Sequence, residues 1–254
     1  MADGKQNRNI AVVFAGGVGS RMGHPDGPKQ FIEVNGKPIL IYTLEHFEKN
    51  NKIDAVYLSV LESHIPHTKG LLSKFNITKV KGIASGGDTA HESIFNALKV
   101  AAEDADNNDD TVVLIHDGVR PVINKKIIDD NVDAAREFGS SISSIPAFET
   151  IAESLDGGES VERVTNRDLM YVLQAPQGFR LQEIYKINRQ ALEDGVMGTF
   201  IDQAHMMNHY GYDLHMTAGF RGNVKVTVPM DLTYFRFLVE SGEFKNVTGE
   251  SIDV

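Results

Sequence analysis

The sequence predicts an α/β fold, wound on both sides of a mainly parallel sheet, and three observations predict it. Short apolar runs rich in β-branched residues recur over the first ~145 residues, with helical periodicity between them. Those runs are nearly continuous rather than alternating, as strands covered on both faces are. The segments that carry chemical groups, a glycine-rich turn from Gly16 and the pair His116-Asp117, each follow such a run. Ligands sit at the carboxyl ends of strands in sheets of this kind.

The elements follow in chain order. Residues 10–14 form the first strand, 55–60 (Ala-Val-Tyr-Leu-Ser-Val) the second and 79–83 a third. Residues 111–115 form a fourth and 141–145 a fifth. Helical spacing covers 40–47, 93–102 and 127–138. From about Pro146 the pattern changes. Residues 148–153 and 161–164 flank Asp156-Gly157-Gly158, a turn signal that predicts a hairpin. With a short strand at 170–173, residues 146–175 read as an arm projecting from the sheet. Residues 181–193 are helical, 214–218 and 223–228 are strand-like, Pro229 closes the latter, and 230–238 make the last helix. The final ten residues are polar and expected to fray. No internal repeat or low-complexity tract divides the chain, so residues 1–254 read as one domain with an arm.

Bulk properties exclude several functions. The net charge of −10 argues against a nucleic-acid coat or a basic membrane face. With no cysteine there is no disulfide, thiolate zinc site or cysteine nucleophile. No apolar run approaches the ~18 residues of a membrane span. Residues 1–8 are polar and lack the apolar core of a signal peptide, so a cytoplasmic protein is expected.

The strongest local signal is Gly16-Gly17-Val18-Gly19-Ser20-Arg21-Met22-Gly23, directly after the first strand, with Pro28-Lys29-Gln30 beyond it. A glycine turn presents bare backbone N–H groups, lets a phosphate or base approach closely, and here carries Arg21 and Lys29 beside it. Gly17, Gly19 and Gly23 are spaced one residue too long for the dinucleotide fingerprint, and no Gly-Lys-Ser/Thr supplies a Walker A loop. An ordinary tight turn with a stray arginine is the alternative; the added cations favour a nucleoside triphosphate seat. Asp117 ends a buried strand, where a carboxylate needs a partner. Ribose hydroxyls, a Mg²⁺ ion or a salt bridge to Arg120 would each provide one. His205 and His209 have a metal-ligand spacing on a helix, but without a following glutamate they read, with His64, His67 and His215, as ordinary histidines.

Taken together, the chain resembles the cytidylyltransferases that activate small polyol phosphates with CTP, over roughly residues 9–240. The residues that carry the resemblance are Ala15-Gly16-Gly17, Arg21-Met22-Gly23, Pro28-Lys29-Gln30, Gly86-Gly87-Asp88, His116-Asp117-Gly118-Val119-Arg120-Pro121, Asn166-Arg167, Pro176-Gln177, Asp202 and Asn223-Val224-Lys225-Val226-Thr227. One branch of that family makes CDP-methylerythritol for isoprenoids. The other makes CDP-ribitol for teichoic acids or capsules. Val119, Asn166-Arg167, Tyr171, Gln174 and the segment 31–34 lean to the ribitol branch. Three positions depart from the family pattern: Ala90 replaces an arginine, Ala175 a threonine and Ile201 a threonine.

The resemblance implies a Rossmann-like fold of the nucleotide-diphospho-sugar transferase type. It also implies attack of a polyol-phosphate oxygen on the α-phosphorus of CTP, with Mg²⁺ as cofactor and pyrophosphate leaving. Such transfers run on positioning and charge neutralisation rather than a covalent nucleophile. By the resemblance, Arg21, Lys29 and Lys225 form the catalytic clamp. Ala15, Gly16, Gly17, Gly19, Gly87, Asp88, Ser93 and Asp117 hold CTP, with Asp117 the metal ligand. Thr150, Arg167 and Thr227 hold the polyol phosphate, Thr150 and Arg167 from the arm of the other subunit of a homodimer. Two rival readings stand beside this one: a nucleotidyltransferase of the same fold using another triphosphate and a sugar 1-phosphate, and a nucleotide-binding subunit without catalysis.

Overall fold

The computed structural model describes residues 7–17, 27–104 and 106–249. Its centre is a sheet built from β1 (Asn9–Ala15), β4 (Ala55–Val60), β5 (Val80–Ser85), β6 (Val112–Asp117), β7 (Ser140–Pro146), β10 (Tyr171–Arg180) and β11 (Met216–Ala218). The strand order is β11-β7-β10-β6-β1-β4-β5. The half from β6 to β5 is parallel throughout. On its other side β10 runs antiparallel between β6 and β7, and β11 lies parallel to β7. This is the doubly wound, mainly parallel sheet that the sequence predicts. All residues of β4 and β6 are buried, as their unbroken apolar runs require.

Helices cover both faces. On one face α3 (Ala90–Glu103), α5 (Leu181–Glu193) and α6 (Gln203–His209) pack through Ile94, Leu98, Ile184, Ile187 and Met206 onto Ile10, Val12 and Tyr57. On the other, α1 (Ile39–Lys49), α2 (Ile65–Lys74) and α4 (Lys125–Phe138) pack Leu40, Leu44, Leu72 and Ile128 onto Val13, Leu58 and Leu114. A third cluster joins α7 (Pro229–Glu240) and α8 (Glu243–Thr248) to the hairpin of β2 (Glu33–Val34) and β3 (Lys37–Pro38). The arm leaves the sheet where β7 ends and returns at β10. Its tip is the hairpin β8 (Ala152–Glu153) and β9 (Arg163–Val164), with Gly157 and Gly158 at positive φ in the turn.

Three sequence expectations are corrected. The strand at 170–173 continues to Arg180 as β10, with a register shift between Leu173 and Gln177; Pro176 within it hides the strand from a propensity reading. The segment 223–228 has no strand partner. It is held by Asn223 Nδ2 donating to Ala175 O (2.7 Å), Arg120 Nη1 donating to Asn223 O (2.6 Å) and Val226 N–H donating to Val119 O (2.8 Å). The chain does not end its helices with α7: α8 follows, because Phe244 and Thr248 bury into the third cluster's side of the fold.

Candidate active site

The carboxyl ends of β1, β5 and β6 meet at one edge of the sheet, and each delivers a different chemistry. β1 runs into Gly16 and Gly17. Gln30, itself buried, donates from Nε2 to Ala15 O (2.7 Å) and Gly17 O (3.2 Å). Two carbonyls of the turn are thereby fixed by one side chain from the Pro28-Lys29-Gln30 segment, and the same segment carries Lys29 to the site. The glycines are required by space. A Cβ on Gly16 would lie 2.3 Å from Ser93 Oγ, and one on Gly86 would lie 2.8 Å from the Cα of Gly16. Two backbones thus touch beside Ser93, and the main chain at Gly16, Gly17 and Gly87 is left facing the site.

β5 leads through Gly86, Gly87 and Asp88 into α3. Thr89 and Glu92 form a reciprocal capping box there: Glu92 N–H donates to Thr89 Oγ1, and Thr89 N–H to Glu92 Oε2. Ser93 Oγ accepts from Gly87 N–H (3.1 Å) and donates to Thr89 O (3.0 Å), which ties the glycine loop to the first turn of the helix.

β6 delivers His116 and Asp117. Asp117 is buried; its Oδ1 lies 2.5 Å from Lys225 Nζ, and its Oδ2 accepts from Arg120 Nε at 3.3 Å. Burial would raise its pKa, but the charges of Lys225 and Arg120 outweigh that and bring it down to about 2. Asp117 is therefore ionised and holds Lys225 over the Phe14 ring, 5.8 Å from its centroid. His116 is fully buried, which pushes its pKa down to about 4 despite its hydrogen bond to the Arg120 carbonyl. The neutral ring donates from Nε2 to Arg120 O (3.0 Å), closing the turn that carries Arg120 back towards Asp117.

These ends enclose a cavity of about 270 Å³. Of the residues singled out in the sequence, Ala15, Gly16, Gly17, Lys29, Gly87, Asp88, Ser93, Asp117, Lys225 and Thr227 line it. Gly19 and Arg21 lie outside the described residues. Thr150 and Arg167 line neither this cavity nor its neighbour; both are exposed on the arm, where Arg167 Nη1 donates to Phe148 O (3.4 Å). A second cavity of about 210 Å³ adjoins the first and shares Phe14, Ala90, Asp117 and Lys225 with it. Ala90, Ala175 and Ile201, far apart in sequence, all line this second cavity.

Sequence reasoning gave no separate role to Gln30 or Asn223; the salt bridge it offered between Asp117 and Arg120 is present. Gln30 and Asn223 act on backbone carbonyls distant in the chain, and Arg120 acts on Asp117 and on Asn223 O. The burial of Gln30 and Asn223 is visible only in the fold, although each lies in a motif the sequence singles out, Pro28-Lys29-Gln30 and Asn223-Val224-Lys225. The histidines have ordinary contacts. His64 and His67 pack on Phe31, His205 and His209 on Phe200, and His215 stacks on Phe138. Among the described residues no group of three or more His, Asp or Glu side chains could hold a metal by itself.

Comparison with known proteins agrees with this geometry. Residues 9–241 match the family model described as IspD, 2-C-methyl-D-erythritol 4-phosphate cytidylyltransferase. A ribitol-5-phosphate cytidylyltransferase of Vibrio parahaemolyticus is 44% identical over 241 residues, 95% of this chain and 100% of the relative. A 2-C-methyl-D-erythritol 4-phosphate cytidylyltransferase of Clostridium novyi is 33% identical, over 92% of this chain and 98% of the relative. The crystal structure of 4-diphosphocytidyl-2C-methyl-D-erythritol synthase from Anaerococcus prevotii superposes with a TM-score of 0.77 at 24% identity, covering 92% of this chain and 96% of that one, and shows the shared fold.

Proposed function

The chain belongs to the IspD family of cytidylyltransferases, and from that premise we propose that it converts D-ribitol 5-phosphate and CTP to CDP-ribitol and pyrophosphate. The observation that carries this reading is the cavity itself, where Lys29, Lys225 and the backbone of Gly16, Gly17 and Gly87 line the wall beside one ionised aspartate. A wall of backbone suits a small pyrimidine, and the cations suit the phosphates. Lys29 and Lys225, with Arg21 from the glycine-rich segment, neutralise charge that grows on the α-phosphate and on the departing pyrophosphate. A phosphate oxygen of the polyol forms the new bond to the α-phosphorus as the bond to the bridging oxygen of pyrophosphate breaks. Retention of the cation set speaks against a non-catalytic binding subunit.

The second cavity seats the polyol chain, with Asp117 and Lys225 at its junction with the first and Arg120 in its own wall. Thr227 lines the first cavity beside Lys225 and reaches the acceptor phosphate from there. Asp117 would hold a Mg²⁺ ion that arrives on the triphosphate through one oxygen, in exchange for its contact with Lys225 or Arg120, since one carboxylate with phosphate oxygens is a common magnesium donor set. Bound there, the ion would add charge neutralisation on the triphosphate.

The arm supports a homodimer. Leu155, Val161, Val164 and Leu169 are each at least 60% exposed on it, and a partner subunit would cover them. Arg167 and Thr150 line neither of the two cavities described above and would bind the acceptor phosphate in the partner's site. The ribitol acceptor is favoured over methylerythritol 4-phosphate by the 44% relative and by Val119, Tyr171 and Gln174. The test is pyrophosphate release from CTP with each acceptor in turn. Ribitol 5-phosphate should give the higher kcat/KM by at least ~10-fold; a preference for methylerythritol 4-phosphate moves the chain to the isoprenoid branch.

A further inference from the structure

Apart from the groups around Asp117, the polar side chains of the second cavity are bonded to one another or to backbone, with the buried Gln174 Oε1 the exception. Gln177 donates from Nε2 to Asp202 Oδ2 (2.8 Å), and its Oε1 accepts from Ala204 N–H (3.0 Å). Asp202 Oδ1 accepts from His205 N–H (2.8 Å). His91 is bonded at Nε2 to Phe200 O and at Nδ1 to Gln203, whose Oε1 accepts from Asn188. Gln174 donates to Phe220 O (3.1 Å). Its Oε1 has no hydrogen-bond partner and is buried against Gly219, where a Cβ would lie 2.3 Å away, so it is not presented to the cavity. The remainder of the wall is apolar: Ala90, Ile94, Ala175 and Ile201 among others.

Charged groups not tied up within the wall are concentrated at one end of the second cavity, where Asp117 and Lys225 stand at the junction with the first and Arg120 lies against Asp117. A site built to hydrogen-bond a hydroxyl rejects an analogue lacking it by about 10⁴-fold or more, whereas an apolar or already satisfied wall discriminates far less. We propose that this enzyme fixes its acceptor at the reacting phosphate and the carbon next to it and is tolerant of configuration at the remaining carbons, so that epimeric pentitol 5-phosphates are all substrates. The proposal rests on the polyol-phosphate reading above, with the chain of the acceptor in the second cavity.

The test uses the full-length protein with CTP and Mg²⁺. Ribitol 5-phosphate, D-arabinitol 5-phosphate and xylitol 5-phosphate are supplied separately, and each CDP-pentitol is quantified by mass spectrometry. The expected result is that kcat/KM for the three acceptors falls within about 100-fold, the range left when no hydroxyl is read by a dedicated partner. A wider spread shows that a hydroxyl is read after all and overturns the proposal while leaving the polyol-phosphate reading intact. If none of the three yields a CDP product, the polyol-phosphate reading itself fails and this inference with it.

Discussion

Replacing Lys225 with alanine removes a cation from the cavity and, at the same time, one of the two charges that keep Asp117 ionised. The displacement of the Asp117 pKa from 3.8 to about 2 represents of order 2 kcal/mol of stabilisation of the folded state. Lys225 and Arg120 share that effect, and the Lys225 side chain is 39% exposed, so solvent screens part of its contribution. A loss of about 1 kcal/mol is expected at neutral pH, which for a chain of this size lowers Tm by about 2–4 °C. The pH window follows from the sign of the shift. A carboxylate whose folded pKa is depressed contributes fully above its unfolded value and loses that contribution as pH falls through the folded one. The stability gap between wild type and variant should therefore be constant above about pH 4 and narrow towards pH 2. Turnover should fall by at least ~100-fold, because the same side chain neutralises the transition state. Calorimetry across pH and steady-state pyrophosphate release measure both. A variant with unchanged Tm and turnover within a few-fold of wild type would refute the assignment of Lys225 to both roles.

Other expectations follow from individual contacts. Gln30→Ala releases the carbonyls of Ala15 and Gly17, and should raise KM for CTP by about tenfold while leaving KM for the acceptor unchanged. Equal effects on both substrates would place Gln30 elsewhere in the mechanism. His116 has a folded pKa of about 4 against an ordinary 6.5, so the unfolded chain binds its proton first and stability declines as pH drops from about 6.5 to about 4. The decline is of order 3 kcal/mol, and His116→Gln should flatten that part of the stability curve. Arg167→Ala should raise KM for the polyol phosphate and spare KM for CTP. Mixing it with Lys29→Ala after subunit exchange should restore some activity, since a mixed dimer holds one site with both side chains; exchange without recovery would exclude a shared site.

How far the sequence could be read depended on whether a residue's partner is local. β4 and α5 match their predicted limits, because an unbroken apolar run and an amphipathic repeat are both properties of adjacent residues. The turn of the arm was equally legible from Asp156-Gly157-Gly158. The second half of β10 was not, since Gln-Ala-Pro-Gln-Gly lacks β-branched residues and owes its strand geometry to β6 and β7 on either side. The reverse error occurred at 223–228, where alternation imitated a strand that has no neighbour to pair with. α8 was hidden by its polar composition and is recovered only by the burial of Phe244 and Thr248. In the site, Lys29, Asp117 and Lys225 were identified by charge within short motifs and a resemblance. The ion pair between Asp117 and Lys225 joins positions over 100 residues apart, and no local pattern announces it.

The proposed chemistry is tested most directly by following phosphorus. CTP labelled at the α-phosphorus, and separately at the γ-phosphorus, is incubated with the protein, Mg²⁺ and ribitol 5-phosphate, and the products are separated. Attack at the α-phosphorus carries the α label into CDP-ribitol and leaves the γ label in pyrophosphate. A γ label transferred to the polyol phosphate, or both labels released with no labelled polyol product, would contradict nucleotidyl transfer and with it the clamp of Lys29 and Lys225 around the α-phosphate.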